Sequence, residues 1–537
     1  MTDHHVFWAD EIADEILANE PDEPIVIKGG ISPSGVPHLG NANEIVLGYF
    51  VAEVLRERGY DVRHVFTTDD RDPLRKLPRT LADLDGTLVD LGDVNAGALG
   101  RNLGHPYTAI PDPFDCCASY GEHFTQLIAD IATQLDIPLE VISTTGLYEE
   151  GRFENAVAHV LEHQEIAREV LKPHQRKVDA NYVPFNPICT SCGKITETVT
   201  DVDLETGMIG YTCTDIKAGD RTIEGCGHEG TVDLRTGKLP WRFEWVAQWQ
   251  ELGVDFEPFG KDHAEGSWPS GVDIAKSVFD IDPPVPMVYE WFTLDERAFS
   301  SSEGHVIMVG EVLELIEPEV LRYFFCKDPS KARDFSIERL DQLVDEFDRF
   351  EALYFEELET NDDDEQARAT RIYPFLVEEP SPDRLRIPYR FAAVLGMTDD
   401  PDQWERIARK EGHLPEDASP AQITQALERV TRARRWAQQT DNQYNYRLKR
   451  EEIPSVTIDA SVEAALTDIA SVVEAGGDGD DIQAAVFSAA GDHDLSPGTV
   501  FGTCYELFLG RSDGPKLGPF LANLDREFVV ERLHRRQ

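Results

Sequence analysis

The pattern of hydrophobic and polar positions changes period most sharply between residues 24 and 58. Pro24-Ile-Val-Ile27 is a short apolar, β-branched run of the kind that makes a buried parallel strand, and Gly29, Gly30 and Gly35 break it into a loop. Over residues 42–58 the apolar side chains Ile45, Val46, Tyr49, Phe50 and Val54 recur at helical spacing. His38-Leu39-Gly40-Asn41 therefore stands where a loop hands over to a helix N-terminus, and unpaired amides with the helix dipole favour phosphate oxygens there. The glycine spacing fits neither the GxGxxG dinucleotide fingerprint nor the P-loop.

The same reading predicts a strand over 62–67 that ends in Asp69-Asp70-Arg71-Asp72-Pro73-Leu74-Arg75-Lys76, an acidic cluster where a crevice of an α/β sheet belongs. Helices are expected over 119–135 and 149–171, the second with Val157, Val160, Leu161 and Ile166 as its apolar stripe. A helix near 269–279 and a strand-like run over 287–293 follow. Everything after 311 reads as helical, with amphipathic runs at 337–358, 401–410, 420–439, 461–475, 480–490 and 520–533, a solvated boundary at 359–365 and a glycine turn at 476–479.

Size and cysteine usage narrow the class. A chain of 537 residues is too long for one core and ample for a multidomain enzyme. Apolar runs of only about five to seven residues and the absence of a basic, apolar leader predict no signal peptide, no membrane span and a cytoplasmic protein. Of the 8 cysteines, Cys189 and Cys192 form one knuckle, and Cys213 and Cys226 complete a closed Zn2+ set, with His228 as an alternative ligand for one of them. Four protein ligands leave no open position, so this zinc is structural. Cys116, Cys117, Cys326 and Cys504 read as core thiols.

Charge changes the picture of partners. There are 101 acidic against 50 basic residues, a net charge of -51, which on an ordinary reading excludes nucleic acid. The acids are spread along the chain and lysine is scarce, as in halophilic adaptation. At molar salt the screening length is only about 3 Å, so local basic contacts decide binding. One such segment runs against the acidic trend: Arg429, Arg432, Arg434, Arg435, Trp436, Tyr444, Tyr446, Arg447, Lys449 and Arg450. Basic groups interleaved with aromatics suit a single-stranded RNA loop. Helix-surface arginines paired with carboxylates account for the same residues equally well.

Taken together, HLGN at 38–41, DDRDPLRK at 69–76, IPDPF at 110–114, SYGEHF at 119–124, GKDH at 260–263 and Gly514-Pro-Lys-Leu-Gly518-Pro-Phe520 resemble the class I lysyl-tRNA synthetase family over essentially the whole chain. The resemblance implies an α/β Rossmann-type class I synthetase catalytic domain with a zinc-binding insertion, followed by an all-α C-terminal half, the helical cage. The expected divisions are 1–145 and 238–312 for the two halves of the catalytic domain, 146–237 for the zinc insertion, 313–362 for a helical stem and 363–537 for the anticodon-binding domain. The expected activity is formation of lysyl-adenylate from L-lysine and ATP with Mg2+, then transfer to tRNA(Lys), by a monomer.

By the same resemblance His38 and Asn41 are catalytic with Ser300 and Ser302, and Pro37, His38, Gly40, Asn41, Ser300, Ser301 and Ser302 bind ATP. Gly30, Ser32, Trp241, His263 and Tyr289 line the lysine pocket, where an aromatic face holds a desolvated ammonium at about 2 kcal/mol or more. Asp262 and Glu290 are both candidates for the assisting carboxylate. Arg432, Arg435, Trp436 and Arg447 are expected to contact tRNA. The sequence departs from the family at the KMSKS loop: Ala298 and Ser301 replace its lysines and Glu303 follows. Arg297, Lys261 and Mg2+ are the remaining sources of positive charge. Two rivals stay open, a class I synthetase for glutamate or arginine, and a zinc-containing tRNA-binding paralogue without catalysis.

Overall fold

A computed structural model describes residues 6–175, 178–219, 221–299, 305–398, 400–451 and 454–535. Five parallel strands carry the first part: β1 (Ile25–Ile31), β2 (Val62–Thr68), β3 (Glu140–Ser143), β4 (Val254–Gly260) and β5 (Val285–Tyr289). Their order is β5-β4-β1-β2-β3, the order of a doubly wound nucleotide-binding sheet, which reverses direction between β1 and β4. Ligands of such sheets lie beyond the carboxyl ends of the strands at that reversal. Strand β1 is fully paired with β2 from Ile25 opposite Val62 to Ile31 opposite Thr68. Its buried start and its glycines come from the apolar run read in the sequence, extended by four residues.

Helix α1 (Ala42–Glu57) follows β1 and buries Ile45, Val46, Phe50, Val54 and Leu55. Helix α2 (Tyr120–Gln134), capped by the Ser119 hydroxyl, precedes β3, and α3 (Trp241–Leu252) precedes β4. Between β3 and α3 the chain leaves the sheet to build a small antiparallel module of Val199–Asp203, Met208–Thr212 and Glu229–Asp233, with the second strand in the middle. Tyr211, Ile209, Cys189 and Cys213 of this module share one core with Phe243, Trp245, Val246 and Phe259.

By its contacts the chain divides into two units. The first holds Met1–Leu313, Glu317–Ser336 and Arg349–Pro380; the second holds Glu314–Ile316, Ile337–Asp348 and Ser381–Gln537. The helical segment Asp363–Leu376, assigned from the sequence to the C-terminal domain, therefore packs with the first unit. There Arg371 bonds both carboxylate oxygens of Asp10. In the second unit Val462, Leu466, Ile469, Val486, Cys504 and Phe508 form a separate helical core.

Three local expectations are corrected. The 149–171 helix is three shorter ones, Thr144–Glu149, Glu154–Glu162 and Gln164–Leu171, because Gly151 takes a left-handed φ of 79° and His163 breaks the second from the third. Val157, Val160 and Leu161 are buried while Ile166, beyond the second break, is 43% exposed. The region after 311 is not wholly helical, since Arg333–Phe335 pairs in parallel with Phe292–Leu294. Residues 520–533 are two helices, Leu517–Asn523 and Arg526–Leu533, the second capped by Asp525. Among the described residues no helix is long and apolar enough to cross a membrane.

Candidate active site

The loop after β1 is closed by its own side chains. Nδ1 of His38 accepts from the Gly40 amide at 3.1 Å, and Oδ1 of Asn41 accepts from the His38 amide at 2.9 Å, forming a capping box at the turn into α1. The Leu39 amide donates to Ile307 O at 2.8 Å and the Asn41 amide to His38 O at 2.8 Å. The expectation of free amides at this helix start is therefore overturned: residues 38–41 have already spent theirs. What the turn leaves to offer a ligand is its side chains. With Nδ1 accepting, the proton of neutral His38 sits on Nε2, which is left to donate. Burial lowers the His38 pKa to about 4, and the ring stacks on Phe299 at 4.9 Å.

A cavity of about 1040 Å³ opens beside this loop and is lined by Ser32, Pro37, His38, Asn41 and Trp241. Gly30, His263 and Tyr289 do not line it; His263 meets the lining residue Trp241, while Gly30 and Tyr289 are joined to each other through Glu44. The Trp241 and His263 rings are 5.9 Å apart, and Trp241 stays 42% exposed while Trp245 and Trp249 are buried. The Tyr289 hydroxyl donates to Glu44 at 2.8 Å, and the Gly30 amide donates to the other oxygen of Glu44 at 3.3 Å. Nδ1 of His263 is buried and has no hydrogen-bond partner among the described residues. Ser300, Ser301 and Ser302 lie outside the described residues.

Glu44 is a candidate site residue that sequence reasoning missed. Its signal was an acid in the first turn of α1, three residues after Asn41. Burial raises its pKa to about 7, outweighing the hydrogen bonds from Tyr289 and Gly30 and the nearby Lys28, which act to lower it. Neither expected carboxylate is as well placed: Glu290 is paired with Lys261 at 2.6 Å, and Asp262 lies 3.5 Å from His263. That pairing also draws on Lys261 as a source of charge for phosphates.

Under the pocket, Lys28 on β1 is 1% exposed and bonds Glu257 on β4 at 2.7 Å. Glu257 also accepts from the indoles of Trp245 at 2.9 Å and Trp249 at 2.6 Å. Beside it, Ser32 donates to Asp72 at 2.9 Å, and the buried Lys238 bonds Asp72 and, at 2.9 Å, Glu244. In the acidic cluster after β2, Asp70 is structural, accepting from the Thr145 amide at 2.8 Å.

The cysteine module brings Cys189, Cys192, Cys213 and Cys226 together, with their sulfurs within 4.8 Å of one another. Pairs of Sγ atoms lie at 3.6 Å (Cys189 and Cys226) and 3.7 Å (Cys192 and Cys213). Zinc bonded at about 2.3 Å to a tetrahedron of sulfurs requires about 3.8 Å, so the set fits the ion. The long gap between Cys213 and Cys226 is a hairpin of Ile216–Ala218 and Arg221–Ile223. His228 is outside the set, its Nε2 lying 3.4 Å from the Thr190 hydroxyl.

Cys116 and Cys117 are not core thiols. Cys116 is exposed, and both cluster with Asp112 and His123 so that their ligand atoms lie within 4.8 Å. Asp112 accepts from the amides of Cys116 and Cys117 at 2.8 and 2.9 Å. His123 uses Nε2 on Ala82 O at 2.9 Å, which leaves Nδ1 facing Cys116 Sγ and Asp112 Oδ1, each at 3.3 Å. In neutral His123 three electron-rich groups thus face one point, a donor set for a cation. Cys326 and Cys504 are buried as expected.

In the second unit, Trp436 corrects the basic and aromatic segment. It is 1% exposed, donates to Ile337 O at 2.7 Å and lies 5.2 Å from the Tyr389 ring, so it cannot stack on a base. It belongs to α5 (Pro420–Thr440), the helix that also buries Arg429 against Asp348 of α4 (Leu340–Tyr354). Arg432 pairs with Glu428 at 3.3 Å and Arg435 with Glu314 at 3.4 Å, both on the surface, and Arg447 is exposed.

Comparison with known proteins follows this geometry. A family model described as tRNA synthetases class I (K) matches residues 6–377. The chain is 62% identical over 531 residues to the lysine–tRNA ligase of Halobacterium salinarum, covering 99% of this chain and 97% of that protein. It is 60% identical over 531 residues to the lysine–tRNA ligases of Haloarcula marismortui (99% and 97% covered) and Natronomonas pharaonis (98% and 97%).

The ring geometry gives the first prediction. Histidine-selective NMR should find His38 neutral, protonated on Nε2, at every pH down to about 4; a resonance titrating near 6.5 would contradict the buried, capping ring.

Proposed function

Because the chain belongs to the class I tRNA synthetases, family K, over more than half its length, we infer that it is a lysine–tRNA ligase, a class I aminoacyl-tRNA synthetase. It activates L-lysine with ATP and transfers the lysyl group to tRNA(Lys). The observations that support the lysine reading are a buried carboxylate, Glu44, held by Gly30 and Tyr289, and the half-exposed Trp241 ring paired with His263. A primary ammonium beside the Glu44 carboxylate offsets the burial that keeps it from ionising, and Trp241 offers an aromatic face to the alkyl chain and charge. Full-length relatives at 60% identity and above favour this activity over a glutamate or arginine enzyme and over an inactive paralogue.

The chemistry proceeds in two displacements. The lysine carboxylate attacks the α-phosphorus of ATP, forming the acyl–phosphate bond as the bond to the β-phosphate breaks and diphosphate leaves. His38 donates from Nε2 to phosphate oxygens as charge builds, and Asn41, whose Oδ1 is held by the His38 amide, donates from its amide nitrogen. A buried imidazole that stays neutral is suited to donating without giving up its proton. A terminal ribose hydroxyl of tRNA then attacks the acyl carbon, releasing AMP and a proton. Ser300, Ser301 and Ser302, beyond the described residues, are assigned to the diphosphate by position in the chain. Mg2+ shares the charge of the polyphosphate.

Two structural metal sites complete the reading. Cys189, Cys192, Cys213 and Cys226 hold one Zn2+; Asp112, Cys116, Cys117 and His123 hold a second. When bound, each ion supplies cross-linking that the short strands around it lack. Arg435 and Arg447, with Arg432, remain the residues assigned to the anticodon end; Trp436 is withdrawn. The enzyme acts in the cytoplasm.

Three outcomes follow. Lysine-dependent ATP–pyrophosphate exchange in molar KCl, with tRNA added, should fall about 10²–10³-fold in His38→Ala at unchanged folding; undiminished exchange refutes the role. Lysine binding holds Glu44 ionised and so releases a proton, which makes affinity rise with pH through about 7. The KM for lysine should drop between pH 6 and pH 8, and Glu44→Gln should raise it at least tenfold while flattening that dependence; a Glu44→Gln enzyme with the parent profile rules out the contact. Metal analysis should find two zinc per chain, one lost in Cys192→Ser/Cys226→Ser and the other in Cys116→Ser/Cys117→Ser.

A further inference from the structure

Apart from the cavity beside His38 and the two four-ligand sets, another group of metal-type side chains stands together. His159, Glu162 and His163 each offer a ligand atom within 4.8 Å of the others. The first two belong to the helix Glu154–Glu162, and His163 is the residue that separates it from the helix Gln164–Leu171. Spacings of three and four residues put all three on one helix face. They stand at the last turn of that helix, where the unpaired carbonyls and the helix dipole favour a cation.

The two rings are fixed in advance of any ion. Nε2 of His159 lies 2.6 Å from Val278 O, and Nδ1 of His163 lies 2.9 Å from His159 O. A carbonyl oxygen can only accept, so each of those nitrogens carries a proton and donates it. In neutral rings the lone pairs therefore sit on Nδ1 of His159 and Nε2 of His163, and neither atom has a hydrogen-bond partner among the described residues. Val278 belongs to the π-helical turn Ala275–Phe279, whose Phe279 ring lies 5.9 Å from that of His159. Both histidines are half-buried, with ring centroids 4.3 Å apart. A metal-bound histidine ordinarily donates its second nitrogen to a carbonyl or carboxylate, and both rings already do so.

Glu162 completes the set from the solvent side. It is exposed and, among the described residues, forms no ion pair or side-chain hydrogen bond. Around a tetrahedral ion with bonds of about 2.0–2.2 Å, ligand atoms stand about 3.4 Å apart, and the exposed Glu162 side chain is free to turn to that distance.

We propose that His159, Glu162 and His163 form a further metal site, which takes an exchangeable divalent ion of the Zn2+ type with water in the fourth position. Imidazole nitrogens select such an ion over Mg2+ and Ca2+, which prefer oxygen ligands. Three ligands without a thiolate let the ion leave on dialysis, so it is additional to the one held by each four-ligand set. Bound there, it bridges the break between the two helices and, through the His159 ring, steadies the turn that supplies Val278 O.

The test uses the full-length protein with its cysteine sets filled, dialysed free of loose metal, and Zn2+ alone as the probe. Calorimetry should find one further Zn2+ bound per chain, absent in His159→Ala/His163→Ala and held about tenfold more weakly by Glu162→Gln. The alanine pair also removes two hydrogen bonds to the backbone, so a second readout uses the unaltered protein. In histidine-selective 15N NMR, added Zn2+ should shift Nδ1 of His159 and Nε2 of His163 while the other nitrogen of each ring stays protonated. Absence of a further bound ion, an ion held equally well by the parent and both variants, or shifts confined to other histidines overturns the proposal.

Discussion

One carboxylate holds the floor of the site together. Glu257 sits where the sheet reverses its strand order and takes a lysine from the neighbouring strand and two indoles from α3. Burying an ion pair there costs several kcal/mol of desolvation, which its mutual attraction offsets only when the remaining lone pairs are occupied. They are occupied here, so the tryptophan wall, the central strand and β4 are fixed to one another by the same group. The pocket beside it inherits that rigidity: Trp241 is the first residue of α3, one turn before the buried Trp245 and two before Trp249.

The architecture was legible in the sequence where a period was strong. The first strand and the helix that ends at Glu57 are where the apolar spacing put them, although Gly29 and Gly30 stay in the strand instead of breaking it; Pro401–Lys410 and, within a residue or two, Pro420–Thr440, Ala460–Glu474 and Gly479–Asp492 are also as read. Cysteine spacing located the four-sulfur cluster without help from the fold. What stayed hidden depended on tertiary context. Nothing local marks Gly151 as left-handed, or distinguishes an arginine that pairs in the core, as Arg429 does with Asp348, from one that meets RNA. Glu44 looked like an ordinary first-turn acid because Tyr289 arrives from 245 residues away. Trp436 was read by its type, and its type suits a hydrophobic core as well as it suits a base. The grouping of Asp112 and His123 with Cys116 and Cys117 escaped notice because the adjacent cysteines lack the knuckle spacing that signals a metal.

A net charge of -51 and a polyanionic substrate are reconciled by locality. The field of a distributed carboxylate surface decays within a few ångströms at high salt, whereas a direct guanidinium contact does not. Recognition of RNA by such a chain rests on where individual cations are left without acidic neighbours. The arginines of α5 are largely claimed by Asp348, Glu428 and Glu314, whereas Arg75 and Lys76 form no ion pair among the described residues.

The closed turn at residues 38–41 has a consequence for the energetics of nucleotide capture. Since His38 and Asn41 already satisfy each other's backbone, the turn is held in shape before any ligand arrives. Little conformational entropy is then surrendered locally when a nucleotide arrives, and affinity at this end comes from two preoriented side-chain hydrogens. The same economy makes the turn intolerant: a methyl group at position 40 would stand 2.8 Å from the imidazole and swing its proton away from the phosphates.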